Sequence, residues 1–171
     1  MSTNTVSIRR ARGTDAADLS DVFDAAWREA YQGVIPGVAL ARFVSRRSPA
    51  AWQGMIAGGR KLALVEFGDR VVGYAAYGRA RDRTLRADGE VDELYVAPDC
   101  QGIGLGTRLF RAVRNDLADR GLTRIGVWAL AANERALAYY DRRGGVRTAQ
   151  AVERLSGVCL PKIGFVFDEA R

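Results

Sequence analysis

The sequence contains no histidine among its 171 residues. Nucleophilic catalysis by a Ser–His or Cys–His pair is therefore excluded, together with zinc sites built on imidazole ligands. Cysteine is scarce as well, and the separation of Cys100 from Cys159 fits neither a disulfide framework nor a metal-binding cluster. Any acid–base chemistry must come from carboxylates, tyrosine, cysteine, lysine, water or the backbone, and we expect no bound metal.

No apolar run approaches the roughly 18–20 residues that a membrane-spanning helix requires. The first residues, Met1 to Thr5, are polar and lack the apolar stretch of a secretory signal. The sequence therefore predicts a cytoplasmic protein without a membrane partner. Its length suits one domain, and its even composition, without repeats or low-complexity linkers, predicts a single domain over residues 1–171.

Lysine is also scarce, since only Lys61 and Lys162 accompany the arginines among 26 basic residues. The formal net charge of +6 is typical of proteins with an anionic partner, such as nucleic acid or a phosphorylated cofactor. The arginines are scattered, however, and do not alternate with aromatic residues as in a platform for single-stranded nucleic acid. We therefore expect no nucleic-acid partner, and a steeply salt-dependent affinity for DNA or RNA would contradict this.

Hydrophobic periodicity predicts strands and helices in alternation. Apolar residues at three- and four-residue spacing after Thr14, a candidate N-cap, predict an amphipathic helix, and Ser48-Pro49 is typical of another helix start. Further predicted elements are strands at 6–9, 61–67, 71–77, 91–96, 124–129, 147–155 and 162–168, and helices at 105–119 and 133–143. Consecutive strands favour antiparallel pairing, whereas the strand–helix–strand unit over 91–129 favours a parallel crossover. We therefore expect a mixed sheet with helices on both faces.

A glycine-rich turn follows the strand that ends before Pro98. Gly102, Gly104 and Gly106 alternate in this turn and run directly into a predicted helix. Alternate glycines let successive backbone N–H groups converge, and the helix start adds unpaired N–H groups with a partial positive charge. The turn therefore predicts a binding site for a diphosphate. A tight connection without a ligand is the alternative, because a bare GxGxG pattern is not specific.

Two other phosphate-binding motifs do not fit this turn. The dinucleotide fingerprint GxGxxG fails because Thr107 stands where its third glycine belongs, and a P-loop fails for lack of the Gly-Lys-Ser/Thr ending. The segment EVDELYVAPDCQGIGLG, from Glu90 to Gly106, instead resembles the central motif of the GCN5-related N-acetyltransferase (GNAT) superfamily. Gln101, Gly104 and Gly106 fill the signature Gln/Arg-x-x-Gly-x-Gly/Ala of that motif.

A second block, NERALAYYDRRGG at 133–145, resembles the downstream superfamily segment Asn-x-x-Ala-x-x-x-Tyr-Glu-x-x-Gly-Phe. The order and spacing of the two blocks also match, and the resemblance extends from Lys61 to about Val146. Two positions differ, because Asp141 replaces the usual glutamate and Gly145 replaces the usual aromatic residue. We expect the glycine to loosen packing at the end of this helix.

The resemblance implies the GNAT fold, an α/β architecture with a central, mixed but mostly antiparallel twisted sheet of about seven strands flanked by about four helices. It also implies an acyltransferase, an acetyl-CoA-dependent N-acetyltransferase in which a primary amine of a small molecule or protein attacks the thioester directly in a ternary complex. Acetyl-CoA is then the acetyl donor, no metal takes part, and a homodimer is compatible with the family. A non-catalytic acyl-CoA-binding sensor on the same fold is the alternative.

The resemblance assigns roles to individual residues. Residues expected to bind acetyl-CoA are Leu94, Tyr95 and Val96 beside the pantetheine arm, Gln101, Gly102, Ile103, Gly104, Leu105, Gly106 and Thr107 around the pyrophosphate, and Asn133. Tyr140 is expected to protonate the departing thiolate, although its helical stripe with Ala136 and Leu137 would by itself favour a core position. Its neighbour Tyr139 is expected to be structural.

Removal of a proton from an ammonium acceptor requires a base or an ordered water. Glu90 is the first candidate, because its distance from Gln101 matches the glutamate base of the histone-acetylating branch. Glu93 is the second, and alternation along a strand predicts that it faces the other side of the sheet. Each is equally well interpreted as a solvated carboxylate at a strand end, and many members of the family use only water and backbone carbonyls.

Aromatic residues in the N-terminal helical region are candidates for the acceptor wall, which this family usually builds there. We expect Trp27 and Tyr31 to contact the acceptor, with core packing or a dimer contact as the alternative for Trp27 and Trp52. A group of acidic residues would favour a cationic amine if it lines this cleft. These are Asp82, Asp88, Glu90, Asp92 and Glu93.

Overall fold

A computed structural model describes residues 5–168 and contains seven strands and five α-helices in that range. The strands are β1 (Val6–Arg10), β2 (Lys61–Phe67), β3 (Arg70–Arg79), β4 (Gly89–Val96), β5 (Ile125–Leu130), β6 (Val146–Leu155) and β7 (Val158–Phe167). The helices are α1 (Ala16–Tyr31), α2 (Gly37–Ser45), α3 (Pro49–Ala57), α4 (Leu105–Ala118) and α5 (Glu134–Arg142). One more α-helix is present than the four or so expected.

All seven strands join one sheet in the order β1-β2-β3-β4-β5-β7-β6. Each neighbouring pair is antiparallel except β4 and β5, which run parallel. The predicted mixed, mostly antiparallel α/β sheet is thereby confirmed. The parallel pair is joined through α4, as a crossover between parallel neighbours requires.

Helices cover both faces of the sheet, and the sheet separates two hydrophobic cores. On one face α4 and α5 pack against the strands around Leu109, Val113 and Phe165. On the other face α1, α2 and α3 pack around Phe23 and Trp52. The predicted apolar stripe of α4 is fully buried, in agreement with its four-residue spacing. No helix of the part described is both long and apolar enough to cross a bilayer.

The start of α1 is fixed by a buried ion pair and not by the predicted Thr14 cap. Thr14 lies within a short 3₁₀ turn, Gly13–Asp15, and α1 begins only at Ala16. The Arg9 guanidinium donates to both carboxylate oxygens of Asp15 at 2.8 Å and also pairs with Glu66 of β2. This contact lowers the pKa of Asp15. Asp15 is almost fully buried and directly precedes α1. Its ion pair with Arg9 of β1 therefore fixes where α1 begins relative to the sheet.

The last strand begins earlier than predicted because a proline is accommodated inside it. β7 starts at Val158, and Pro161 pairs with Val152 of β6. The Pro161 carbonyl accepts a hydrogen bond from Ala131 N–H, one residue beyond the end of β5. In a strand the N–H of a residue points to the same side as its carbonyl, so the missing donor faces a position where β5 has ended.

The loop between β3 and β4 is anchored to the sheet by one buried apolar side chain. Leu85 in this loop is only 3% exposed. Its side chain packs on Gly126 of β5 and Gly164 of β7, where any Cβ atom would collide with it. The loop therefore covers the end of the sheet that α1, α2 and α3 leave open.

Packing at the end of α5 is tight, so the expected loosening at Gly145 is wrong. A Cβ atom at Gly145 would lie 2.6 Å from Cζ of Phe167 and 3.0 Å from the Tyr140 carbonyl oxygen. Phe167, from β7, occupies the space that an aromatic residue at position 145 would otherwise fill. The absence of a side chain at Gly145 leaves room for this ring.

Candidate active site

β4 and β5 run side by side for only three residue pairs. Gly89–Val91 pairs with Ile125–Val127, and the remainder of β4 has no partner on the side that faces β5. Backbone N–H and C=O groups at such an edge need other hydrogen-bond partners. The gap between the two strands is therefore suited to an extended ligand that pairs with the β4 backbone.

The glycine turn closes one end of this gap. Gly102 and Gly104 have φ values of +79° and +87°, a left-handed conformation that favours glycine, and α4 begins immediately afterwards. The first N–H groups of α4 have no carbonyl partner within the helix. A turn without side chains at its tightest points therefore leads into the electropositive end of a helix, an arrangement suited to an anion.

Gln101 holds the turn against the end of β4. Its Nε2 donates to the Val96 carbonyl at 2.9 Å and to Glu29 of α1 at 3.2 Å, while its Oε1 accepts from Arg135 of α5. The amide thus uses both its donor and its acceptor functions within the protein. We infer that the side chain shapes the turn and leaves ligand binding to the backbone.

A cavity of about 860 Å³ joins the gap to the glycine turn. The predicted donor-binding residues that line it are Leu94, Tyr95, Val96, Gln101, Gly102, Gly104, Leu105, Gly106, Thr107 and Asn133. Ile103 is not among them, because its side chain is 58% exposed. Tyr140 lines the same cavity, so the two sequence blocks meet there.

Several cavity residues were not found from the sequence. Glu29 of α1 pairs with Arg135 of α5 at 3.3 Å, and these two helices thereby meet across the cavity. Tyr139, Arg142 and Arg143 line it from the end of α5. Only the adjacent arginines hinted at this role, since nothing local in a sequence pairs a residue of α1 with one of α5.

Tyr140 is buried among aromatic rings. It is 5% exposed and lies within 6.0 Å, centroid to centroid, of the rings of Phe110, Phe165 and Phe167. Within residues 5–168, no group forms a hydrogen bond with its hydroxyl. Burial raises the pKa of Tyr140, so the hydroxyl keeps its proton at neutral pH. Tyr140 is therefore a core residue, as its helical stripe predicted. It also lines the cavity, as its resemblance to the family segment predicted.

A β-bulge corrects the prediction that Glu90 and Glu93 face opposite sides of the sheet. Val91 pairs with Tyr77 of β3, but the next pair joins Glu93 to Ala76, so Asp92 is an extra residue. Alternation is interrupted by one position at a bulge. Glu90 and Glu93 therefore lie on the same face, the one covered by α1, α2 and α3.

The two carboxylates have different partners on that face. Glu93 accepts a hydrogen bond from Tyr74 at 2.7 Å and forms an ion pair with Arg47 at 2.5 Å. Glu90 has no ion-pair partner in the part of the chain described and accepts only from the backbone N–H of Arg81, at 3.1 Å. Burial, followed by the nearby Asp92 charge, raises the pKa of Glu90. Glu90 is therefore better suited to accept a proton than Glu93.

Trp27 and Tyr31 belong to the core of the α1 face. They are 7% and 2% exposed, and their ring centroids lie 4.6 Å apart with the planes tilted by 49°. The Tyr31 hydroxyl accepts from Asn133 Nδ2 at 3.3 Å, while Asn133 Oδ1 accepts from the Ala136 N–H and caps α5. These residues support a wall between α1 and α5, and direct contact with an acceptor or donor stays a prediction.

The sheet described opens where β4 and β5 run parallel, and the glycine turn lies at the end of the opening, an arrangement suited to an extended, phosphate-bearing ligand. Comparison with known proteins agrees. Residues 20–145 match the acetyltransferase (GNAT) family. The chain belongs to this family and is an acyltransferase.

Related proteins extend the comparison over almost the whole chain. An uncharacterised N-acetyltransferase of Bacillus subtilis, YuaI, is 26% identical over 93% of this chain and 91% of its own. A GCN5-related N-acetyltransferase of Rhodopseudomonas palustris has a similar fold, with a TM-score of 0.78, 22% identity and 98% of both chains covered. The PaiA N-acetyltransferase of Thermoplasma acidophilum, solved in complex with coenzyme A, covers 93% of this chain and 98% of its own, with a TM-score of 0.73 and 14% identity.

Proposed function

We propose that this protein transfers the acetyl group of acetyl-CoA to a primary amine of a small molecule or a protein. The observation that carries the proposal is the single cavity that joins the start of α4 to the unpaired edge of β4. An anion site and a backbone edge in one cavity suit a donor with a pyrophosphate at one end and an amide-containing arm at the other.

Different residues of the cavity bind different parts of the donor. The N–H groups from Gln101 to Thr107 bind the pyrophosphate, and the backbone of Leu94 to Val96 pairs with the pantetheine arm. Asn133 caps α5 and thereby fixes the start of the helix that lines the other side of the cavity. The thioester then lies towards Tyr140, farther along the cavity from the glycine turn.

The acceptor attacks directly, and the proton transfers balance. The amine gives up a proton to Glu90, its nitrogen forms a bond to the acetyl carbon, and the bond from that carbon to sulfur breaks. Tyr140 donates its proton to the departing thiolate, which leaves as a free thiol, and the proton taken up by Glu90 then passes through solvent to the tyrosinate, so that both groups return to their starting states. A half-buried carboxylate of raised pKa and a hydroxyl that stays protonated suit these two roles.

Glu93 has a different role in this scheme. Its contact with Arg47 joins the loop before α3 to β4, and its contact with Tyr74 joins β4 to β3, so we assign it to positioning the acceptor wall. Trp27 and Tyr31 support the same wall from α1. A cytoplasmic location, a homodimer and the extent of the domain to residues 1–171 stay predictions.

A glycine substitution tests the donor site. Gly104 is left-handed, so a side chain there would strain the backbone itself, but Gly106 has ordinary backbone and a Cβ would lie 3.6 Å from Val96. A Gly106→Glu side chain places a carboxylate at the anion site while its charge suits the first turn of α4. We expect acetyl-CoA binding, measured by calorimetry, to be lost without a lower melting temperature.

Gly54→Glu is the matched control, because Gly54 is exposed in α3 with open space around it and lies outside the cavity. Unchanged donor affinity in Gly106→Glu would show that the turn does not bind the pyrophosphate. Release of free thiol from acetyl-CoA, followed with a panel of amines, separates an enzyme from a sensor. Tight donor binding with no turnover on any amine would contradict the proposed transfer.

A further inference from the structure

A groove lies along the outer edge of the sheet, between β1 and α4. Its volume is about 270 Å³, and it shares no lining residue with the donor cavity. β1 stands at one end of the strand order, so only β2 pairs with it in the sheet described. The residues that line the groove are Val6 and Ile8 of β1, and Arg108, Arg111, Ala112 and Asn115 of α4. The groove is therefore separate from the proposed active site.

Val6 and Ile8 direct their backbone hydrogen-bonding groups away from β2. Alternate residues of a strand bond to the same antiparallel neighbour. The N–H of Ala11 donates to the Leu62 carbonyl of β2 at 2.9 Å, and the pairing of β1 with β2 is unbroken from Val6 to Arg10. The odd-numbered residues of β1 therefore bond to β2, whereas the N–H and C=O groups of Val6 and Ile8 face outward. Both residues thus offer a donor and an acceptor to a further strand.

Arg108 and Arg111 give the groove a positive rim. Both side chains are exposed, and within residues 5–168 neither guanidinium forms an ion pair or a hydrogen bond. Arg114, on the next turn of α4, instead donates to the Asp168 carbonyl at 3.0 Å. The two charges at the groove are therefore not neutralised by the part of the chain that the structure describes. Exposed cations beside a strand edge attract an anionic partner.

An extended polypeptide with acidic side chains fits both the edge and its charges. A polypeptide backbone supplies N–H and C=O groups in alternation, which the outward groups of β1 require, whereas phosphate groups of a nucleic acid supply acceptors only. A second copy of this chain fits less well. Antiparallel pairing of two β1 strands would bring Arg108 and Arg111 of both copies to the same face of the joined sheet, where like charges repel.

We propose that β1 binds an acidic, extended segment of a partner protein as an additional strand. Alternate side chains of an added strand point to the same face of the sheet. On the α4 face, carboxylates of the segment pair with Arg108 and Arg111. On the other face, Arg9 is already paired with Asp15 and Glu66, so the segment needs carboxylates only at every second position. This binding does not depend on acetyl transfer, because the groove and the donor cavity share no lining residue.

Fluorescence anisotropy with a labelled peptide of four Glu-Val repeats tests the proposal. We expect saturable binding that weakens as salt is added, and a peptide of four Lys-Val repeats should not bind. Arg108→Gln/Arg111→Gln should bind the Glu-Val peptide about 2- to 30-fold more weakly, the range for two exposed ion pairs. Arg42→Gln/Arg46→Gln is the control, because it removes the same charge from exposed positions at α2. Equal losses in the two double variants would show that only net charge matters and would overturn the proposal.

A second pair of variants tests the backbone pairing. Val6→Pro removes an N–H group that faces away from β2, so no hydrogen bond within the sheet is lost. Val6→Ala keeps this N–H group and also shortens the side chain. We expect Val6→Pro to bind the peptide about 2- to 10-fold more weakly than Val6→Ala, as the loss of one hydrogen bond predicts. Equal affinities of the two variants would contradict the addition of a strand.

Hydrogen exchange of the wild type tests the same pairing without a substitution, and it replaces the proline variant if that variant melts early. Saturating peptide should slow exchange at the amides of Val6 and Ile8. Unchanged exchange at both amides would overturn the proposal even if the peptide binds.

Three further results would overturn the proposal. The first is a wild type that does not bind the Glu-Val peptide. The second is a single-stranded DNA of eight nucleotides that binds as tightly as the peptide, which would assign the groove to nucleic acid. The third is a dimer, seen by sedimentation without peptide, that dissociates in Val6→Pro, which would assign the edge to a second copy of the chain.

Discussion

At the scale of single residues, Tyr140 occupies a core position and is also the proposed proton donor. Its ring packs against Phe110, Phe165 and Phe167, which fixes where the hydroxyl lies. Tyr140 also lines the cavity. Ring packing therefore orients the proposed proton donor without a hydrogen bond to its hydroxyl.

Removal of the Tyr140 hydroxyl separates packing from catalysis. Tyr140→Phe keeps the ring and its contacts, so we expect the melting temperature and the acetyl-CoA dissociation constant to stay close to the wild type. Turnover should fall by about 100-fold, because the thiolate must leave without a proton donor. Steady-state kinetics beside calorimetry measure both quantities. Undiminished turnover would show that Tyr140 is a core residue only.

The raised pKa of Glu90 predicts how the rate of the proposed reaction depends on pH. Its pKa is raised above the ordinary 4.5 by burial, and the base must be ionised to accept a proton. The rate should therefore decline as the pH falls through this raised pKa and should be maintained above it. We expect Glu90→Gln to lower kcat/KM by about 100-fold and to remove that acid limb from the pH profile.

Glu93→Gln is the comparison for this profile. The variant loses its ion pair with Arg47, so we expect lower stability with the acid limb retained. If the acid limb disappears in Glu93→Gln and persists in Glu90→Gln, Glu93 is the base and Glu90 is not. An acid limb in both variants would point to water as the base.

At the scale of elements, one extra residue in β4 decides which carboxylates share a site. Without the bulge at Asp92, Glu90 and Glu93 would lie on opposite faces of the sheet, three positions apart. With it, both carboxylates and the wall built by α1, α2 and α3 are on one face. Asp92 itself pairs with Arg60, from the turn that precedes β2, and thereby holds the bulge against that face.

The junction of α5, β6 and β7 gives a prediction about stability. Gly145→Ala adds a Cβ atom within 2.6 Å of the Phe167 ring, so α5 or β7 must shift. We expect a loss of about 1–3 kcal/mol in the free energy of unfolding, measured by denaturant titration. Phe167→Leu in the same chain should make the added methyl less costly than it is alone.

Gly54→Ala serves as the opposite control for this junction. Gly54 lies in the interior of α3 with no atom near its Cβ position, and alanine there should stabilise the protein by about 0.5–1 kcal/mol. If Gly145→Ala behaved like Gly54→Ala, Phe167 would not fill the space assigned to it.

At the scale of the whole molecule, the features that the sequence predicted correctly depend on local patterns. The stripe of α4, the cap at Ser48 and the glycine turn each depend on neighbours along the chain, and each agrees with the structure. The order of strands and helices predicted the mixed sheet, and the two family blocks predicted most of the residues that line the cavity. Sequence patterns were therefore sufficient for the architecture, whereas the donor site itself stays a prediction.

The features that could not be predicted join distant parts of the chain. Leu85 fills the space above two glycines, Gly126 and Gly164, which only tertiary packing brings together. Phe167 replaces a side chain missing at Gly145, and the bulge in β4 follows from its pairing with β3. No local pattern encodes these contacts, because each depends on where a second element comes to lie.

The short parallel pairing of β4 with β5 bears on how the two proton-transfer groups are aligned. Glu90 stands on the half of the sheet formed by β1 to β4, whereas Tyr140 packs on Phe165 and Phe167 of the other half. Three residue pairs are the only strand-to-strand link between the halves in the part of the chain described. In the proposed scheme, the separation between the proton donor and the base depends on this short link, and an acetyl donor bound between the strands would hold them at the distance that transfer requires.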